Sequence, residues 1–209
     1  MRYTRLVAFL TLFATVVALP VLAEDKPANR FQIGAFGGLA QGNTDYPGKQ
    51  LTLGGGIYYH PFYRKNAAAQ RLSFGAELSR MVLNSEKISQ AERFQDKLWL
   101  ISPGIRYDAL DTTHFRVSLH AGGTLARNTQ VYQVKYQRRW VDIRDFGYYC
   151  DVCQSSMQLV ANGGISFALV KPVRDYNDDV LSRWIFPVRY TRYSNGLKTI
   201  TFGIEYSFK

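Results

Sequence analysis

The sequence lacks, beyond its first 23 residues, any apolar run long enough for a membrane-spanning helix. Such a helix needs about 20 consecutive apolar residues. Histidine and cysteine are also scarce, with 3 and 2 residues respectively, whereas a structural zinc site needs about four ligands held together. These scarcities exclude a helical membrane protein and lead us to expect no metal and no cofactor.

The first 23 residues have the pattern of a secretory signal. Arg2 and Arg5 precede a mostly apolar segment, and Ala23 ends it with a small side chain. A charged start, an apolar centre and a small-residue cleavage site are typical of signal peptides. We expect residues 1–23 to be removed and residues 24–209 to form one domain.

The remaining sequence alternates apolar and polar residues. In the last segment, Ile200, Phe202, Ile204, Tyr206 and Phe208 fall on one face, because side chains of a strand alternate with period two. Eight segments of this kind can be read, at about 31–40, 50–59, 71–82, 98–107, 115–126, 157–169, 184–193 and 200–208. Each is about the length of a strand that crosses a bilayer.

The second face of these segments carries small residues and a few charges, which suits a crowded polar interior. Strands can span lipid only in a closed barrel, where every backbone group is paired. We therefore predict an all-β fold, a closed antiparallel up-and-down transmembrane β-barrel of about eight strands, in the outer membrane of a Gram-negative bacterium. A lumen this narrow is filled by side chains. The residues predicted to form an internal network are Glu77, Arg106, Arg116, His120 and Glu205.

The connections and two prolines locate the expected irregularities. Pro103 and Pro187 fall inside predicted strands, where proline removes a ladder hydrogen bond. The predicted outer loops are 41–49, 84–97, 127–156 and 194–198, and the predicted inner turns are 60–70, 108–114 and 170–183. Two of these inner turns are longer than is usual for such barrels.

Net charge and the third outer loop indicate the partners. The formal net charge is +10, but an exported protein is not expected to bind nucleic acid. We expect outer-membrane lipid and the phosphates of lipopolysaccharide as partners, and the barrel-assembly machinery during insertion; alternatively, the excess charge only keeps the loops solvated. Within this loop, positions 130–143 could extend the barrel strands as a hairpin above the membrane. Arginine and aromatic residues are common on binding surfaces. The predicted binding residues are Arg127, Lys135, Arg138, Arg139, Trp140 and Arg144.

The two cysteines, Cys150 and Cys153, are three positions apart in the same loop. In an oxidising compartment, a lone pair this close is expected to form a local disulfide.

Segment 192–198 resembles the His-x-Ser-Asn segment of the PagL-type lipid A 3-O-deacylases, eight-stranded outer-membrane barrels that remove an acyl chain from lipid A. The resemblance implies that Ser194 is the nucleophile and that Glu205 orients the histidine base. The histidine position is Arg192 here, and a guanidinium stays protonated and cannot accept the serine proton. Ser-Asn-Gly is equally typical of a hairpin turn.

Two hypotheses of function follow. The first is a non-enzymatic barrel with a structural or surface-interaction role at the lipopolysaccharide layer. The alternative is a PagL-type lipid A hydrolase, active or degenerate. The missing base at Arg192 favours the first hypothesis.

Overall fold

The computed structural model describes residues 30–42, 49–62, 67–84, 89–150, 153, 155–174, 176 and 180–208. The predicted signal segment, 1–23, lies outside these ranges. The strands are β1 (Phe31–Gln41), β2 (Lys49–Tyr59), β3 (Leu72–Asn84), β4 (Glu92–Asp111), β5 (Phe115–Tyr136), β6 (Arg139–Asp142), β7 (Ser155–Arg174), β8 (Val180–Tyr193) and β9 (Lys198–Phe208). A four-residue helix, α1 (Ala67–Gln70), precedes β3, and a 3₁₀ turn (Ile143–Phe146) follows β6. No helix in the described ranges has the length and apolar character to cross a membrane.

Eight of the strands form a closed antiparallel barrel. Each pairs with its neighbour in the order β1, β2, β3, β4, β5, β7, β8, β9, and β9 pairs back onto β1. The closing register sets Phe31 opposite Phe208 and Gln41 opposite Lys198. We call the end with Phe31 and Phe208 the terminal end, and the opposite end the loop end. The predicted fold class is confirmed.

The faces of the strands follow the predicted alternation. On β9, Ile200 and Phe202 are about half exposed on the outside, whereas Thr199 and Thr201 are buried inside. The same pattern repeats around the barrel because successive side chains point to opposite faces. The apolar residues therefore face outward and the small polar residues face the lumen, as predicted.

Pro103 and Pro187 each interrupt one strand ladder. The β4–β5 pairing passes over Ser102 and Pro103, and the β8–β9 pairing passes over Phe186 and Pro187. Proline has no backbone N–H to donate, so the predicted irregularities at these two positions are confirmed.

Several predicted connections are shorter in the structure. Strand β4 begins at Glu92, whereas the loop was expected to extend to position 97, and β5 continues to Tyr136, well beyond the expected loop start at 127. On the other side, β7 ends at Arg174 and β8 begins at Val180. Polar residues are mixed with apolar ones at these strand ends, so the regular alternation stops before the pairing does.

The lumen has two zones. Its half toward the terminal end holds charged residues, described below, and a small apolar cluster of Ala168, Val170 and Ile185. Its half toward the loop end is filled by an apolar cluster of Ala40, Met81, Leu83, Leu98, Leu100, Ala126, Val160, Tyr193 and Leu197. Burial of this cluster supplies a hydrophobic core inside the barrel.

Candidate functional site

The charged zone of the lumen is centred on Arg189. Its guanidinium contacts both Glu77 and Glu205, with Nη2 at 2.8 Å from Glu205 Oε1. Arg106 donates to the other oxygen of Glu205 at 3.3 Å and also reaches Gln32. Arg116 Nη1 donates to the same Gln32 oxygen at 3.1 Å. The predicted network of Glu77, Arg106, Arg116 and Glu205 is therefore present, with Gln32 and Arg189 joining its members.

A second part of the network lies nearer the terminal end. Asp111 accepts from Arg183 Nη1 at 3.0 Å and from Arg116 Nε at 3.3 Å. Asp108 accepts from Ser118 at 2.7 Å and pairs with Arg106 and Arg116. The network thus sets four arginines against four acids, which balances the buried charge as burial requires.

His120 lies in the lumen, as predicted, and its Nε2 lies 3.0 Å from the Thr191 hydroxyl. Thr191 lines the same small cavity as Glu77 and Arg189. Arg189 and Arg183 were missed, although Arg189 falls on the inward face by the same alternation. Next to Glu77 and Arg189 the lumen retains a cavity of only about 10 Å³, roughly the room of one water molecule. Side chains therefore fill most of the lumen next to Glu77 and Arg189.

The outside of the barrel changes character along its height. At the terminal end, aromatic rings of neighbouring strands touch: Phe31 lies 5.1 Å from Tyr59 and 6.0 Å from Phe208, and Trp184 lies 4.7 Å from Tyr206. Apolar side chains follow around the middle of the wall. A band of this kind between interfacial aromatics is typical of transmembrane barrels.

Cations occupy the outer wall near the loop end. Arg80 on β3 and Arg127 on β5 are the cross-strand partners of Trp99 on β4, and the Arg80 guanidinium lies 5.4 Å from the Trp99 ring centre. Arg127 was predicted to lie in the third loop, and the structure places it on the barrel wall. We call Arg80, Trp99 and Arg127 the wall cluster.

The third connection carries a β-hairpin above the wall. Strand β6 pairs with the end of β5, from Gln133 opposite Asp142 to Tyr136 opposite Arg139. The two-residue turn between them, Gln137 and Arg138, has positive φ at both positions, 45° and 67°. This turn is usually made by Asn-Gly, because a side chain at positive φ costs free energy.

The predicted binding residues other than Arg127 all lie on this hairpin or directly after it. Lys135, Arg138 and Arg139 are exposed at its tip. Trp140 lies beneath the Arg93 guanidinium at 4.4 Å, a cation–π contact. The tip therefore presents three cations to solvent.

Arg144 is held by an acid on the same hairpin. Asp142 accepts from the Arg144 guanidinium at 2.6 Å and from its backbone N–H at 3.0 Å. The hydrogen bond from Arg144 lowers the pKa of Asp142, and the same bond raises the pKa of Arg144. Arg144 is thus less available to a ligand than the cations at the tip.

Cys150 and Cys153 form the predicted disulfide beyond this hairpin. The described ranges contain no group of histidine, cysteine, aspartate or glutamate side chains placed to hold a metal ion.

The residues matched to the deacylase motif do not meet. Ser194 lies at the β8–β9 turn, where its Oγ accepts a hydrogen bond from Ala161 N at 3.1 Å. Arg192 points outward, and Glu205 is buried in the lumen network. Glu205 lies seven positions along β9 from Lys198, roughly 23 Å at about 3.4 Å per residue. Ser194 therefore supports a turn in this arrangement.

Neither a family model nor a curated protein matches this chain. Among solved structures, the N-terminal β-barrel domain of Pseudomonas aeruginosa OprF has 14% identity and a TM-score of 0.43, covering 86% of this chain and 98% of that one. Neisserial surface protein A has 16% identity and a TM-score of 0.43, covering 86% and 96%. Ail of Yersinia pestis has 10% identity and a TM-score of 0.39, covering 88% and 98%. Because these identities and TM-scores are low, the fold is assigned from the strand pairing of this chain itself.

Proposed function

We propose that this chain is a small outer-membrane β-barrel protein with a structural or surface-interaction role at the lipopolysaccharide layer. The observation that carries the proposal is a closed barrel whose outer wall is apolar and carries Arg80 and Arg127 toward the loop end, with the cationic hairpin beyond them. Closure leaves no strand edge to lipid, and an apolar surface this large needs a partner. Outer-membrane lipid would cover the apolar outer wall, and the barrel-assembly machinery would insert the barrel into the membrane.

The charge distribution supports an orientation with the loop end outward. Arg127 lies twelve positions along β5 from Phe115 at the terminal end, which corresponds to about 30 Å of height for a strand tilted by about 40°. The wall cations therefore lie at the far edge of a hydrocarbon region about 25–30 Å thick. Phosphates of the lipopolysaccharide layer would meet them there.

The hairpin is the proposed surface-binding element. Its tip sets Arg138 at a positive φ where glycine would cost less. Retaining a long cationic side chain at that position is consistent with a binding role. Lys135 and Arg139 add charge beside it, and phosphate or another anionic group on a sugar is the chemistry that arginine binds best.

A pair of glycine substitutions tests this role. The full chain in neutral detergent is titrated with the deacylated, phosphorylated oligosaccharide of lipopolysaccharide by calorimetry. Arg138→Gly removes a cation and also removes the strain of a side chain at positive φ. We expect the affinity to fall by about tenfold, since one charged hydrogen bond contributes about a factor of ten to binding. Gln137→Gly, the matched control, relieves the neighbouring φ without loss of charge and should retain affinity. Equal binding by both variants would contradict the proposal.

The alternative function, a PagL-type lipid A hydrolase, has less support. Ser194 Oγ is engaged with a backbone N–H, and Glu205 is engaged by two arginines. A nucleophile needs a base within hydrogen-bond reach, and Arg192 is not one.

A further inference from the structure

The outward faces of β3, β4 and β5 differ in charge along their length. Outward positions alternate with period two from Leu72 to Asn84, from Arg93 to Tyr107 and from Phe115 to Thr129, and none of these positions carries an acid. Cations occur only toward the loop end. An amphiphile with an anionic head and an apolar body would match this surface.

The wall cluster has the geometry of a single anion site. Arg80 and Arg127 flank Trp99 on adjacent strands, so their Cα atoms are about 10 Å apart at about 4.8 Å per strand. Two long side chains converging from this distance can reach one phosphate above the indole ring. Arg80 already lies over that ring.

Lys97 lies two positions from Trp99 toward the loop end and on the same face. It also lies close enough to Asp142 to help lower the pKa of that carboxyl. Lys97 therefore connects the wall cluster to the hairpin, and Arg80 and Arg127 remain the principal candidates for the phosphate.

An apolar groove lies on the same strands below the cluster. It has a volume of about 570 Å³ and is lined by Phe74, Pro103, Ile105 and Ala121, with glycines at its floor. Pro103 is four positions from Trp99 along β4, roughly 14 Å. An acyl chain attached to a phosphorylated head at the cluster would reach this groove.

We propose that Arg80, Trp99 and Arg127, together with the groove below them, form a binding site for one phosphorylated, multiply acylated lipid of lipid A chemistry. The arginines bind a phosphate, the indole covers the sugar edge, and the groove takes one acyl chain. This site rests on the proposed outer-membrane location, because that membrane supplies such a lipid on the loop-end side. It is separate from the hairpin tip, which meets soluble groups above the membrane.

The test measures lipid retained by the purified full chain. Folded protein in neutral detergent is incubated with bis-phosphorylated lipid A, and bound lipid is counted by native mass spectrometry. We expect one lipid on the native chain and a reduction of about tenfold or more in the double variant Arg80→Gln/Arg127→Gln. The matched control, Arg192→Gln/Lys198→Gln, removes two outward cations from the β8–β9 rim and should bind within about twofold of the native chain. Each variant is first shown to be folded by its anomalous migration without boiling.

Two further lipids identify which chemistry is bound. Lipid A without its phosphates should not be retained, and phosphatidylglycerol should be retained at least about tenfold less than bis-phosphorylated lipid A. Equal retention by the two double variants would overturn the site, and equal retention of phosphatidylglycerol would overturn its assignment to lipid A. Fractionation of cells tests the location separately: a chain outside the outer membrane would contradict the proposed function, whereas the binding measurement on purified barrel would stand.

Discussion

The arginines of this protein occur in two settings that differ in their partners. Inside the lumen, Arg106, Arg116 and Arg189 are almost fully buried, and each contacts at least one carboxylate. On the outer wall and the hairpin tip, Arg80, Arg127 and the Arg138–Arg139 pair are exposed. A buried charge needs its partner to remain folded, whereas an exposed one costs little to keep or lose. We therefore expect the lumen arginines to contribute strongly to folding stability and the outer ones to contribute little.

The largest effect should come from the buried set. Arg189→Met leaves Glu77 and Glu205 without their shared cation, and we expect a loss of about 3–5 kcal/mol in the free energy of unfolding. Arg127→Met, the matched change on the wall, should alter it by less than about 0.5 kcal/mol. Urea unfolding in detergent compares the two. Similar losses for both variants would remove the distinction between the two sets.

The outer wall itself should respond to charge according to depth. Ile204→Arg places a cation in the middle of the apolar belt and should cost about 2–4 kcal/mol of stability, whereas Ile200→Arg, close to the loop-end cations, should cost about 0–1 kcal/mol. Both residues face outward on β9, so only height differs. Folding titrations into lipid vesicles measure both, and a reversed order would show that the belt is not centred on Ile204.

Ser194 should behave as a turn residue. Ser194→Ala removes the acceptor for Ala161 N and should cost about 1 kcal/mol, the usual contribution of one hydrogen bond. Lipid A incubated with the native chain should release no more fatty acid than with this variant. Release that depends on Ser194 would establish the hydrolase and overturn the structural interpretation.

The smallest expected effect concerns the hairpin and pH. Arg144 lowers the pKa of Asp142 below its ordinary value of 3.8. The stabilisation from this hydrogen bond is therefore complete at pH values above 3.8 and is lost as the pH falls through the lowered pKa. The emission of Trp140 should therefore stay constant from neutral pH down to about pH 4 and change only below it. Asp142→Asn keeps the polar cap without the charge, and its emission should show no such transition. A transition near pH 6 in the native chain would point to another group.

The strands and their faces were predictable from the sequence, and so was most of the lumen network. Period-two alternation identified all eight barrel strands, and it placed Glu77 and Glu205 inside. It missed the start of β4 at Glu92, where polar residues interrupt the alternation. The hairpin expected over 130–143 is present as the end of β5 and β6. The disulfide followed from the spacing of the two cysteines and the oxidising compartment expected for an exported chain.

The wall cluster could not be predicted in the same way. Arg80, Trp99 and Arg127 are far apart in the chain, and their adjacency depends on the β3–β4 and β4–β5 registers. A shift of one residue would turn a whole strand to the other face, so a binding site on a barrel wall depends on pairing that no single segment encodes.

The sequence by itself determined that this chain forms a barrel with an apolar outer face, because the alternation of apolar and polar residues is a local property of each strand. Only the tertiary structure decided which charges are paired. Arg189 meets Glu77 across 112 positions of the chain, and Arg106 meets Glu205 across 99, while Arg127 lies beside Trp99 on the outer wall. Closure of the sheet brings distant strands around one lumen, so partners inside depend on the circumference and register of the whole barrel.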